Sequence, residues 1–99
     1  MIGNIKFVAE PKKESPFGFK SKYVWDYLLE VAVRYGDIIS IPTGSGWGGS
    51  LSDIVKTRKR TPKPILAKNI HEKDVELEMA FDAGATYGMV VGRIPADKY

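Results

Sequence analysis

At 99 residues the chain has room for one small domain, which buries roughly two thirds of its unfolded surface. Apolar residues at 43% and charged residues at 27% lie near the averages of soluble globular chains, and the apolar runs, such as Met89-Val90-Val91, are far shorter than the ~18 residues of a membrane helix. Disorder, collagen-like repeats and membrane-spanning helices are thereby excluded, and the lack of cysteine removes disulfide staples, thiolate nucleophiles and cysteine-ligated zinc. The opening residues, Met1-Ile2-Gly3-Asn4-Ile5-Lys6, carry no basic segment followed by an apolar stretch and a cleavage site, which points to a cytoplasmic location.

Strand-like and helix-like segments alternate along the chain. Ile5 to Glu10 reads as a strand closed by Pro11. After a loop over Lys12 to Lys20, Ser21 is a candidate N-cap for a helix whose apolar positions Val24, Leu28, Val31 and Tyr35 recur at helical spacing before Gly36. Asp37 to Ile41 is a second, β-branched strand that empties into Thr43-Gly44-Ser45-Gly46-Trp47-Gly48-Gly49. Ser50 is placed to cap the next helix, with Asp53 in its first turn and Leu51, Ile54 and Val55 as its apolar stripe. Pro62 and Pro64 bracket the entry to a third strand, Ile65 to Ile70. A third helix is predicted from about Glu72 to Ala83, with Val75, Leu77, Met79 and Phe81 inward and Gly84 as a left-handed C-cap, and Thr86 to Arg93 is a fourth strand. Strands joined by crossover helices imply parallel pairing, so the predicted fold class is α/β, a single (βα)3β domain over residues 1–99.

Side chains two apart on a strand share a face. Lys6, Val8, Glu10 and Lys12 therefore fall together, with Ile5, Phe7 and Ala9 as the floor for the helices. In the third strand Leu66 and Lys68 oppose Ile65 and Ala67. The charged set gathers at the C-terminal ends of the strands, where parallel α/β folds bind ligands. A lysine on such a face loses hydration of its charged form unless a carboxylate such as Glu10 compensates. That combination suits a general acid, and it equally suits a structural ion pair plugging the end of the sheet.

The glycine-rich loop matches neither phosphate-loop nor dinucleotide spacing. It reads either as a connector or as a lid offering the Trp47 ring to a ligand, with Ser50 and the following helix N-terminus near an anion. The net charge of +3 comes mostly from Lys56, Arg58, Lys59, Arg60 and Lys63, which read as a solvated helix face. No aromatic residue interleaves with these cations to stack bases, which argues against nucleic-acid binding. His71, the single histidine, reads as a satisfied surface or helix-start residue rather than a metal ligand. Two Asn and no Gln beside many Lys and Glu is a bias found in thermophile proteins.

Three stretches resemble a known family. Ala9-Glu10-Pro11-Lys12-Lys13-Glu14-Ser15-Pro16 resembles the first-strand signature of indole-3-glycerol phosphate synthases, a Glu-x-Lys followed by Ser-Pro. Trp47-Gly48-Gly49-Ser50 is similar to that family's aromatic-x-Gly-Ser stretch, and Lys63-Pro64-Ile65-Leu66-Ala67-Lys68-Asn69 to its third strand. Ala83-Gly84-Ala85-Thr86 before an apolar strand keeps the order, and the likeness spans nearly the whole chain.

The resemblance implies the N-terminal half of a TIM barrel, four parallel strands with helices on one face. It also implies a lyase of tryptophan biosynthesis that closes the indole ring of a ribulose-phosphate anilide with loss of carbon dioxide and water, without a cofactor. By the same resemblance Lys68 is the general acid, Lys12 contacts the substrate and assists dehydration, and Glu10 orients the lysines. Ser15 lies near the phosphate, Ser50 joins the substrate-binding set, and Pro16, Trp47, Ile70 and Met89 wall the aromatic pocket.

The sequence departs from the family pattern at Pro11 inside the Glu-x-Lys, at Gly44-Ser45 and at Asn69, and it lacks counterparts of the family's fifth-strand glutamate and sixth-strand asparagine. The half barrel exposes a sheet face lined by Val8, Leu66, Met89 and Val91 and two free edges. A homodimer that rebuilds eight strands, or a complementary half-barrel chain, is the expected partner, beside a phosphorylated aromatic small molecule. The alternative to a synthase is a non-catalytic binding or assembly module.

Overall fold

The computed structural model describes residues 5–15, 17–96 and 98. Short β-branched runs and amphipathic runs resolve into β1 (Val8–Ala9), α1 (Trp25–Tyr35), β2 (Ile38–Pro42), α2 (Leu51–Arg60), β3 (Ile65–Lys68), α3 (Asp74–Ala83) and β4 (Tyr87–Gly88), with a 3-10 turn at Ser45–Trp47. The four strands form one parallel sheet in the order β1-β2-β3-β4, each joined to the next by a helix. No helix among the described residues is long and apolar enough to cross a membrane.

The core sits on one face of this sheet. Ile39 and Ile41 of β2 and Ile65 and Ala67 of β3, alternating positions on adjacent strands, cluster with Leu29 and Ala32 of α1, Ile54 of α2 and Ala80 of α3. All three helices therefore cover the same face. The register pairs Ile39 with Ile65 and Ile41 with Ala67, so four side chains form a continuous apolar floor. Gly88 lets α3 lie close to β4: a Cβ there would stand 2.7 Å from the Leu77 side chain.

Several predicted faces shift. In α1 the buried stripe is Leu29 and Ala32, with Trp25 and Val33 against it, whereas Val24, Val31 and Tyr35 are exposed. Apolar residues flank the exposed Asp26–Glu30–Arg34 stripe on both sides, so periodicity fits two overlapping stripes, and the sheet takes the one that holds Leu29 and Ala32. Ser21 does not cap α1; its hydroxyl accepts the Tyr23 N–H at 3.1 Å, and Val24 stands at the N-cap without a side-chain bond. In α3 Leu77 and Ala80 are buried while Val75 and Met79 are exposed. Gly84 does take positive φ, at 122°. Ile5 and Phe7 are exposed rather than a floor for helices, since they precede β1 and lie outside the ladder that the helices cover. β4 is shorter than the predicted Thr86–Arg93, because after Met89 donates to Ala67 O the chain leaves the sheet and turns at Gly92.

The basic run is also not simply a solvated face. Arg58 donates to the carbonyls of Gly84, Thr61 and Lys63 and to the Thr86 hydroxyl, tying the end of α2 to the turn before β4. Lys63 Nζ donates to Val33 O at 2.6 Å and Gly36 O at 2.8 Å, satisfying carbonyls at the end of α1. Lys56, Lys59 and Arg60 are the exposed members. Beyond β4, Arg93 donates to His71 O at 2.8 Å and to Asp74 at 2.7 Å, and Ala96 N–H donates to the other Asp74 oxygen.

Two outcomes are expected. Arg58→Lys keeps the charge but loses the planar fork, and should lower the unfolding free energy by about 2 kcal/mol in urea titration. The hydrogen bond from Arg93 holds the Asp74 carboxyl below its ordinary value of 3.8. The anchorage of residues 93–96 is then complete above that value and is lost as pH falls through the lower folded value. The Ala96 amide signal in an NMR titration should move with a midpoint below 3.8.

Candidate functional site

Alternation along β3 sends Ile65 and Ala67 into the helix layer and turns Lys68, at its C-terminal end, to the opposite face. Glu10 follows Ala9 of β1, which packs on the core, and so also faces away from the helices. Ser40 of β2 lies between them. Lys68 Nζ donates to Glu10 Oε1 at 3.2 Å, and the Ser40 hydroxyl donates to the same oxygen at 2.9 Å. The other carboxylate oxygen, Glu10 Oε2, is buried without a hydrogen-bond partner. A buried carboxylate oxygen left bare costs about 1–3 kcal/mol, so this corner of the sheet favours an incoming donor.

The glycine-rich loop closes over the same corner. Gly49 N and Trp47 N both donate to Gly44 O, and Gly48 N donates to Ser45 O, making a compact turn rather than an extended connector. Gly49 is required there, because a Cβ would fall onto the Pro42 carbonyl. The turn holds the Trp47 ring with its centroid 5.8 Å from Lys68 Nζ, a cation–π geometry. One carboxylate, one ammonium and one indole thus converge at the C-terminal ends of β1, β2 and β3. Such a set can donate a proton or hydrogen bond to an oxygen, hold the donor in place and stack a flat ring.

The remaining predicted residues lie elsewhere. Lys12 is exposed, its ammonium 5.9 Å from the centre of the Phe19 ring rather than in the Glu10–Lys68 pair. Ser15 Oγ accepts the N–H groups of Phe17 at 3.2 Å and Phe19 at 3.4 Å, shaping the β1–α1 loop. Ser50 occupies the N-cap of α2, but its hydroxyl pairs with Ser52 at 2.7 Å. Ile70 is half-exposed, and Met89 is partly buried, its carbonyl bonded to His71 Nδ1. Pro16 lies outside the described residues.

Two contributors were not legible as site residues. Ser40 looks like an ordinary strand serine until the register sets it between Glu10 and Lys68. Lys13, the neighbour of the predicted Lys12, turns inward: its Nζ bonds Asp53 at 2.7 Å and Gly48 O at 3.2 Å and lies 5.0 Å from the centre of the Trp25 ring. Asp53 in the first turn of α2 was the available hint, as a buried carboxylate needs a cation. Lys13 thereby fixes the end of the Trp47 turn. His71 is buried at 2% exposure rather than on the surface. Among the described residues no three His, Asp or Glu side chains are placed to hold a metal ion.

The double substitution Glu10→Leu with Lys68→Met should leave stability unchanged or raise it, whereas Lys68→Met alone should cost about 1–3 kcal/mol by stripping a partly buried carboxylate of its cation. Urea unfolding of the three proteins measures this. A double variant much less stable than the parent would make the pair a structural plug.

No family model matches the chain, and no curated protein is significantly similar to it.

Proposed function

We propose that the chain is one half of a TIM-type barrel related to indole-3-glycerol phosphate synthases, and that its rim binds a phosphorylated aromatic molecule and promotes indole-ring closure. The observation that carries this reading is the Glu10–Lys68–Trp47 group, with an unpaired buried carboxylate oxygen, at the C-terminal ends of the strands. In this reading the Lys68 ammonium donates to the substrate carbonyl oxygen, drawing electron density from the carbon that the aromatic ring attacks. Glu10, fixed by Ser40, orients Lys68, and Trp47 stacks on the anilide ring. Sequential parallel strands with helices on one face suit half of a barrel, since parallel sheets are covered on both faces and open edges invite pairing. A two-fold dimer in which β4 of each copy pairs with β1 of the other closes eight strands. A complementary half-barrel chain does the same.

One observation favours a second reading. Lys12, the second catalytic lysine implied by the resemblance, sits over Phe19 and not beside Lys68. A non-catalytic half-barrel module that binds or assembles without turnover fits that placement.

The test mixes the protein with the ribulose-phosphate anilide and follows indole fluorescence, with light scattering for mass. The expected result is a dimer with slow turnover that falls roughly 10²–10⁴-fold in Lys68→Ala. Absence of fluorescence, with Lys68→Ala binding the anilide as well as the parent, overturns the synthase reading in favour of the module. A stable monomer at micromolar concentration overturns the dimer.

A further inference from the structure

Across the end of β3 from Lys68, on the side of the helices, lies a cavity of about 180 Å³ lined by Thr43, Leu51, Asn69, His71, Glu76 and Met79. These residues come from separate parts of the fold: the ends of β2 and β3, the start of α2, the β3–α3 connection and α3. An engineered apolar cavity of roughly 150 Å³ accepts a benzene ring, so the space suits a ring or a short branched chain.

The polar groups around it are not committed to the protein. Asn69 Oδ1 accepts the Ile70 N–H at 2.8 Å, which leaves the side-chain NH2 as a donor. His71 Nδ1 lies 2.6 Å from Met89 O, and a carbonyl only accepts, so Nδ1 carries a hydrogen and Nε2 of the neutral ring is an acceptor. Among the described residues, Nε2, the Thr43 hydroxyl and the Glu76 carboxylate have no hydrogen-bond partner, yet none is a sealed orphan. His71 is only 2% exposed and is one of the residues that line the cavity.

The histidine is held there deliberately by the fold. Its φ of 55° is left-handed, a region costly for a non-glycine residue, and Arg93 bonds its carbonyl at 2.8 Å. A mostly apolar space walled by Leu51 and Met79, with Thr43, Asn69, His71 and Glu76 also in its lining, has the make-up of a small-molecule site, an apolar container with a few orienting groups. The acceptors dominate its charge: the Glu76 carboxylate is anionic and His71 Nε2 offers a lone pair.

We propose that this cavity binds a small organic amine, its ammonium donating to Glu76 and His71 Nε2 and its apolar body lying between Leu51 and Met79. The site shares no residue with the Glu10–Lys68–Trp47 group and stands independently of the function proposed for it.

The test titrates 15N-labelled protein with benzylamine and, separately, with benzoate, which has the same ring and the opposite charge. Benzylamine should give saturable shifts at the amides of Thr43, Leu51 and Glu76 and at the Asn69 side-chain NH2, and benzoate should give none. Because His71 also anchors the segment after β4, the diagnostic variant is Glu76→Gln, in which benzylamine affinity should fall at least tenfold with the thermal midpoint unchanged. Lys68→Ala should bind benzylamine as the parent does. The proposal is overturned by an absence of saturable shifts at these positions, by equal binding of benzoate, or by unchanged affinity in Glu76→Gln.

Discussion

Parallel pairing of β2 with β3, Ile39 against Ile65 and Ile41 against Ala67, is the contact from which the rest of the molecule is built. It is the longest ladder in the sheet, and one of its faces is wholly buried under three helices. Because the side-chain period of a strand is two, burying Ile65 and Ala67 leaves Lys68 no choice of face. A slip of one residue in β3 would drive the lysine into the core and expose both apolar residues. The position of the candidate site is therefore a by-product of core formation.

Around that ladder the protein uses cations as fasteners. Lys63 closes the end of α1, Arg58 joins α2 to the turn before β4, Lys13 locks the β1–α1 loop to α2, and Arg93 holds the segment after β4 to α3. In each case a long side chain reaches carbonyls or a carboxylate that short connections leave unpaired. A chain of this size has few apolar side chains for a second core layer, and polar ties to the backbone serve in their place. Four of the cations, Lys13, Arg58, Lys63 and Arg93, are thus structural ties, while Lys56, Lys59 and Arg60 of the basic run stay exposed.

The two ends of β2 and β3 carry polar groups on both faces of the sheet. Lys68 and its partners face the side away from the helices, while the next residue, Asn69, joins Thr43 and His71 around the cavity on the helix side. Adjacent residues of one strand end thereby serve two separate environments, which follows from alternation once the strand gives way to loop. Among the described residues the side away from the helices has a buried, unpaired carboxylate oxygen, and the helix side has several unpaired polar groups. Both lie where loops release the backbone from the ladder, the part of an α/β fold with the least demand on side chains for packing.

The order and type of the elements, the parallel pairing, the split of β3 into apolar and polar faces and the placing of Glu10 and Lys68 at the same end and on the same face of the sheet follow from the amino-acid sequence, because alternation along a strand and a crossover helix between parallel strands can be read from the pattern alone. The burying stripe of α1 does not, since apolar residues lie on both sides of its Asp26–Glu30–Arg34 stripe and only the sheet beneath it prefers Leu29 and Ala32. Nor is it written locally that Lys13 rather than Lys12 turns inward, or that His71 is enclosed. Those outcomes depend on where Asp53 and the Met89 carbonyl stand, 40 and 18 residues away along the chain, and only the folded backbone brings such partners within hydrogen-bonding reach.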